Sequence, residues 1–322
     1  MENTTGMWAL MALSLAAAGL VMQVVCTRRD RRRHPAPGTF VDGLHVWQRG
    51  DSGSTVVFEA GIAATCLNWI PVQEALSTGA RSCSYDRAGL GWSRASGGEH
   101  SLIRITDDLH GMMEALALPR PVVLVGHSFG TFVVRVYAHR FPDEVTALVL
   151  IDPVTADEFV DPAWRTRVRL WRAAFWSHVA GVLAFFGLAR LGLWGLLRRG
   201  GGNPGPLLGL SATLRRIAQE VAKLPPDVVR LLRTRWSEPR FFRELARAVV
   251  SLPACAAEVV RCPVPASVPI TVLSGAHQTV DRLCAHRALA TRHVVVEGSA
   301  HWIHLDRPAM VAEVILDATR RQ

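Results

Sequence analysis

The stretch Val122-Val123-Leu124-Val125-Gly126-His127-Ser128-Phe129-Gly130 decides the fold. Four apolar residues read as a buried strand, Gly126 to Gly130 as a sharp turn, and Phe129–Arg140 as a helix. Strand, turn and helix in that order are the context a G-x-S-x-G elbow requires. A serine on so tight a turn directs its hydroxyl outward, and the flanking glycines leave room where a Cβ would strike neighbouring backbone.

On either side of this unit, β-branched runs alternate with helical stretches from residue 44 onward. Strands are predicted at Leu44–Gln48, Thr55–Glu59, Ser82–Tyr85, Val122–Val125, Ala147–Ile151, Ile270–Leu273 and His293–Val296. Further helices are predicted at Leu67–Ser77, Leu102–Leu118, Arg282–Ala290 and Pro308–Arg321. Pro308 falls in a first turn, where its missing N–H does no harm. The alternation predicts an α/β fold, a mostly parallel central sheet with helices on both faces. More than a hundred residues of helical period separate Ile151 from Ile270, with breaks at Gly200–Pro206 and Pro225-Pro226. A single crossover needs far fewer, so residues 155–266 are expected to form an inserted helical cap. The core is then split into residues 39–154 and 267–322.

With the elbow in this setting, the sequence resembles the α/β-hydrolase superfamily over about residues 40 to 321. The resemblance implies a serine nucleophile, Ser128, activated by a histidine late in the chain. Val294-Val295-Val296-Glu297-Gly298-Ser299-Ala300-His301 looks like the family's last strand and histidine loop, whose G-x-x-H spacing selects His301 over His304. An oxyanion hole needs two preorganised N–H donors, and the amide after the nucleophile, Phe129, supplies one. The second is expected at Ile62, because Ala60-Gly61 stands where the family has His-Gly; the donor is backbone, so the lost histidine need not remove the hole. Tyr85-Asp86-Arg87-Ala88-Gly89-Leu90-Gly91-Trp92-Ser93 matches the family's Asp-Arg-x-Gly-x-Gly loop and reads as architectural. Most members place the acid in a Gly-x-x-Asp turn after the strand Ile270-Thr271-Val272-Leu273. This sequence has Gly275-Ala276-His277-Gln278, and glutamine cannot stabilise an imidazolium by charge. Asp152, at the preceding strand's end, is the preferred acid, as in the haloalkane dehalogenases; Asp281 is the alternative. For Asp152 the competing reading is a turn residue before Pro153. Dehalogenases and epoxide hydrolases of this fold use an aspartate nucleophile, whereas position 128 is serine, so attack should give an acyl-enzyme.

The chain has 322 residues and a net charge of +9, which would suit a nucleic-acid binder if the charge were spread evenly. It is not. Residues 28 to 33 hold five arginines and Asp30, and residues 162 to 247 hold fifteen arginines and Lys223 against four carboxylates; the remainder is acidic. Trp164, Trp171, Trp176, Trp194 and Trp236 share the second block, a composition suited to an anionic membrane surface or to a solvated helical face. No nucleic-acid partner is expected. Met7–Cys26 is an uncharged run that as a helix would rise roughly 30 Å, enough to span a hydrocarbon core. Glu2 is the only charged side chain before it and the arginines follow it, which argues against a cleaved signal despite Ala16-Ala17-Ala18. The positive-inside rule then puts the bulk of the chain in the cytoplasm, with residues 1–38 as anchor and basic linker. Six scattered cysteines, with neither a C-x-x-C pair nor a histidine cluster at metal-ligand spacing, read as free thiols in a reducing compartment.

These features predict a single-pass, membrane-anchored serine hydrolase cleaving a carboxylic ester with an apolar part, the helical insertion serving as a lid and possible membrane contact. No cofactor and no metal is implied, since the sequence holds neither a metal-ligand cluster nor a dinucleotide fingerprint. An acyltransferase or cofactor-free perhydrolase would use the same residues, and a non-catalytic scaffold would keep the fold without the chemistry.

Overall fold

Eight strands form one sheet in the computed structural model, which describes residues 2–76, 79–95, 97–198 and 212–320. They are β1 (Thr39–Val41), β2 (Leu44–Arg49), β3 (Ser54–Glu59), β4 (Ala80–Tyr85), β5 (Val122–His127), β6 (Val145–Ile151), β7 (Ile270–Gly275) and β8 (Arg292–Val296). Their spatial order is β1-β2-β4-β3-β5-β6-β7-β8. β2 runs antiparallel to β1 and β4, and every other pairing is parallel. In chain order the helices are α1 (Glu2–Arg33), α2 (Ile70–Leu76), α3 (Leu102–Ala115), α4 (Gly130–Arg140) and α5 (Asp157–Val160). Then come α6 (Trp164–Phe185), α7 (Leu188–Arg198), α8 (Ala212–Val221), α9 (Pro226–Trp236) and α10 (Pro239–Arg261). The last three are α11 (Val280–Leu289), α12 (Ile303–Asp306) and α13 (Pro308–Thr319).

The central strands are covered on both faces, as unbroken Val/Leu/Ile runs require. β5 is buried at every position. On one face Leu124, Leu148 and Leu150 join Leu109, Met112, Phe132 and Tyr137 of α3 and α4. On the other, Val123, Val125 and Val149 join Val72 and Leu76 of α2 and Val311 and Ile315 of α13. Each such side chain contributes about 1.5–3 kcal/mol of burial, which fixes the strand ends that carry the site.

The chain divides into two compact units: Pro37–Arg172 with Arg247–Gln322, which carries the sheet, and Met1–Ala36 with Ala173–Ala246, which among the described residues holds helices and no strand. α1 therefore belongs to the same compact unit as much of the insertion. The cause is close packing. A Cβ on Gly19 would lie 2.6 Å from the Phe186 carbonyl oxygen, so the backbones touch there. Arg190 of α7 reaches Gln23 (3.0 Å), Thr27 (3.2 Å) and Asp30 along α1. Over Thr5–Arg33, α1 is long and apolar enough to cross a membrane, as a span or a signal sequence is, and Leu10, Leu13 and Leu15 are exposed. The break expected at Gly200–Pro206 lies outside the described residues, as do Ser77 and Arg321 at two predicted helix ends. All six cysteines are free.

Candidate active site

Ser128 sits between β5 and α4 with φ of +51°, a left-handed conformation that costs a residue with a Cβ of order 1–3 kcal/mol. The turn is held by its own backbone: the Ser128 N–H donates to the Ile151 carbonyl (3.0 Å), and the Ser128 carbonyl accepts from the Thr131 N–H (3.0 Å) and hydroxyl (2.6 Å). The glycines are obligatory. A Cβ on Gly130 would lie 2.5 Å from the Glu59 carbonyl oxygen, and one on Gly126 would lie 2.8 Å from the Gly130 carbonyl oxygen.

Asp152 follows β6, also in the left-handed region (φ +44°), with its carboxylate fully buried. His301 Nδ1 lies 2.6 Å from Asp152 Oδ2. Burial alone raises the Asp152 carboxyl, but the hydrogen bond and charge of His301, the Gly275 amide (3.1 Å) and the Gln278 side-chain amide (2.7 Å) together hold it below the ordinary carboxylate value. An ionised Asp152 fixes the proton on His301 Nδ1 and leaves Nε2 able to accept one. The His301 side chain is 38% exposed, whereas His304 is buried, its ring 4.6 Å from that of Trp69. Asp281 is exposed in the first turn of α11. The structure thus brings Asp152 to His301 and leaves Asp281 and His304 outside that pair.

The loop after β3 lies against the elbow: a Cβ on Gly61 would meet Ser128 Cβ at 3.6 Å and His127 Nδ1 at 3.0 Å. Phe129 is the N-cap of α4 and makes no side-chain capping hydrogen bond. Among the described residues neither the Phe129 nor the Ile62 amide has an acceptor, and a helix start with free amides is electropositive. Arg87 fixes the second donor's loop. Its buried guanidinium donates to the carbonyls of Ala60 (2.6 Å), Gly61 (2.6 Å) and Ile62 (3.2 Å), pairs with Glu59, and lies 5.3 Å from the Phe129 ring centre.

A family model of the alpha/beta hydrolase fold matches residues 54–308, most of the chain. The chain is an α/β-hydrolase. The Bacillus subtilis (strain 168) protein YqjL is 30% identical over 120 residues, which span 36% of this chain and 47% of that protein, so the likeness covers less than half of the relative. Among solved structures, a thermophilic esterase from Thermogutta terrifontis superposes with a TM-score of 0.60 at 19% identity, covering 88% of this chain and 96% of that one. The epoxide hydrolase VrEH1 from Vigna radiata gives 0.65 at 17% identity over 87% and 95%. At these identities the structures share the fold with this hydrolase.

Three of the hydrolase's site neighbours escape a reading by motif. Gln278, which fills the family's acid position, donates to Asp152 and accepts from Arg282 (3.1 Å), itself paired with Glu158. His127, the variable residue of the elbow, donates Nε2–H to the His301 carbonyl (2.9 Å). Burial, with His304 and His301 nearby, holds His127 well below the ordinary imidazole value, so it is neutral. The third is the architectural loop itself. His45, Cys66 and Asp86 bring ligand-type atoms within 4.8 Å of one another, a convergence hidden by their sequence separation. These atoms serve each other. Asp86 accepts from His45 (2.8 Å) and from the amides of Cys66 (2.8 Å) and Trp92 (3.0 Å), and His45 also bonds the Pro37 carbonyl. Burial, with Asp86 beside it, raises the Cys66 thiol well above its ordinary value, which opposes the thiolate a metal would need.

Proposed function

We propose that this α/β-hydrolase is a membrane-anchored serine hydrolase cleaving carboxylic esters with an apolar part. The observation that carries the reading is the 2.6 Å contact between His301 and a buried, ionised Asp152, with the His301 carbonyl held at 2.9 Å by His127 of the elbow that carries Ser128 at φ +51°. Ser128 Oγ attacks the acyl carbon while His301 Nε2 takes its proton. The amides of Ile62 and Phe129 hold the oxyanion, and His301 returns the proton to the departing alcohol. Water activated by His301 then releases the acid from the acyl-enzyme. Serine at position 128 favours this course over the alkyl-enzyme chemistry of aspartate nucleophiles. The apolar substrate is supported by the anchor-like α1 and by the exposed Trp171, Trp176 and Trp194 on α6 and α7. α1 would span once, its arginines keeping the sheet-bearing unit on the cytoplasmic side.

A fluorophosphonate probe on the full-length protein in membranes tests the chemistry. Labelling is expected in the wild type, absent in Ser128→Ala and nearly absent in His301→Ala, because nucleophile and base act as a unit. A folded wild type that never labels, or a Ser128→Ala variant that keeps most esterase activity, overturns the mechanism. Alkaline carbonate tests the anchor separately: release of the full-length chain would remove it.

A further inference from the structure

Within the α1-containing unit, a groove of about 570 Å³ runs between α1, α6 and the start of α10. Its wall changes character along its length. At one end Leu20 and Val24 of α1 face Val182 and Phe185 of α6. At the other, Arg28 and Arg31 of α1 face Arg240 and Arg243, with Glu238 the one carboxylate in the described lining. The direction of this gradient is fixed by contacts on both sides: the Phe186 backbone lies against Gly19, and Arg31 pairs with Glu238 at 3.1 Å.

The basic end is built, not merely crowded. Glu238 is almost fully buried and is bound by Arg31, Arg235 (2.9 Å) and Arg240 (2.9 Å). One carboxylate thus orders three guanidiniums and leaves the group strongly cationic. Gln23, buried at mid-groove, is held by the Ser237 carbonyl (2.9 Å), which docks α1 against the chain entering α10.

From Leu20 to Arg31 an α-helix rises roughly 16 Å, about half the thickness of a hydrocarbon core. If α1 spans as proposed above, on which this inference rests, the arginines lie at headgroup level and Leu20, Val24 and Phe185 lie among acyl chains. We infer that this groove seats one anionic phospholipid of the arginine-side leaflet, its phosphate on Arg28, Arg31, Arg240 and Arg243 and a chain along Leu20, Val24, Val182 and Phe185. An apolar channel closed by cations, of which Arg31 and Arg240 are held by Glu238 and Arg243 pairs with Glu244 (3.2 Å), complements a molecule with a chain at one end and a negative phosphate at the other. A zwitterionic lipid fits the channel and lacks the net charge.

Native mass spectrometry of the full-length protein in dodecyl maltoside micelles tests this, with phosphatidylglycerol, phosphatidylcholine and sn-glycerol 3-phosphate added in turn. One phosphatidylglycerol should be retained per chain in preference to phosphatidylcholine. The double variant R28Q/R243Q should bind it roughly thirty-fold more weakly, whereas R165Q/R167Q, outside the groove, should bind normally. Val182→Trp, which fills the apolar end and leaves the arginines, should also lose the lipid. Equal retention of the two lipids, equal losses in both double variants, or glycerol phosphate competing as well as the whole lipid would overturn the assignment. Carbonate extraction reads the anchor independently, so a chain that is extracted yet holds phosphatidylglycerol in micelles would sink the span and keep the site.

Discussion

Replacing Arg87 with lysine keeps a buried cation beside Glu59 but removes the planar fork that reaches three consecutive carbonyls. Loss of an oxyanion donor costs about 10²- to 10³-fold in kcat, so Arg87→Lys should lower kcat toward that range with KM nearly unchanged. A rise in KM at constant kcat would show that Arg87 binds substrate instead of positioning the loop. At the acid, Asp152→Asn should lower turnover on the order of 10⁴-fold, since Asn holds the wrong tautomer of His301, while the exposed Asp281→Asn should cost little. The reverse ranking in folded protein would move the acid. Ser128 and His301 are legible in the sequence because each lies in a contiguous pattern of glycines and strand residues. Asp152 is legible only by resemblance and by its place at a strand end. The roles of Gln278 and Arg87 are not legible at all: Gln278 meets Asp152 across 126 positions, and Arg87 reaches Ala60 across 27. No local pattern records where such a side chain ends.

The β5–turn–α4 element carries the nucleophile because backbone approaches backbone across it. Gly130 allows α4 to start against the Glu59 and Ala60 carbonyls, and an alanine Cβ would fall 2.5 and 2.8 Å from their oxygens. Gly130→Ala should therefore push α4 off β3 and abolish fluorophosphonate labelling. In α3, Gly111 has no atom near its would-be Cβ, and Gly111→Ala should raise stability by about 0.5–1 kcal/mol. If Gly130→Ala labels normally, the elbow does not depend on this approach. All seven strands expected from sequence are present; the central β3, β5, β6 and β7 are the ones whose apolar runs follow from parallel pairing with both faces covered. β1 escapes for the opposite reason: its three residues lie at an exposed edge with no alternation to read. The insertion is legible as helical, since its apolar residues keep a helical period. Its partnership with α1 is not, because it depends on a glycine contact and on one arginine reaching 160 positions along the chain to Asp30.

Across the whole molecule, buried and half-buried histidines set how stability responds to acid. Burial lowers the imidazole value of His127, His286 and His293, and it lowers His100 to about 4, with the charges of Arg87 and Arg247 adding to the effect there. A histidine depressed in the folded state binds fewer protons than it does unfolded, where its value is near 6.5. Its contribution is therefore complete above about pH 6.5 and falls as the pH drops toward the folded value, at up to ~1.4 kcal/mol per pH unit for the fully buried His127 and by less for the more exposed His293, where solvent screens the effect. Glu59 and Asp108, raised by burial, act in the opposite sense above about pH 4.5, but they are two groups against four. Melting temperature should thus fall steadily from pH 7 to pH 5, before the depressed carboxylates Asp86 and Asp152 begin to titrate. His100 is the site at which to test the assignment. Its Nδ1 meets the Ser251 hydroxyl at 2.9 Å, and glutamine offers that hydroxyl a replacement acceptor without a titrating group. His100→Gln should fold, keep its stability at pH 7.5 to within about 1 kcal/mol, and show a shallower loss between pH 6.5 and 4.5. Unfolding curves across that range that stay parallel to the wild type would mean that His100 is protonated alike in both states, and that its burial does not govern its charge.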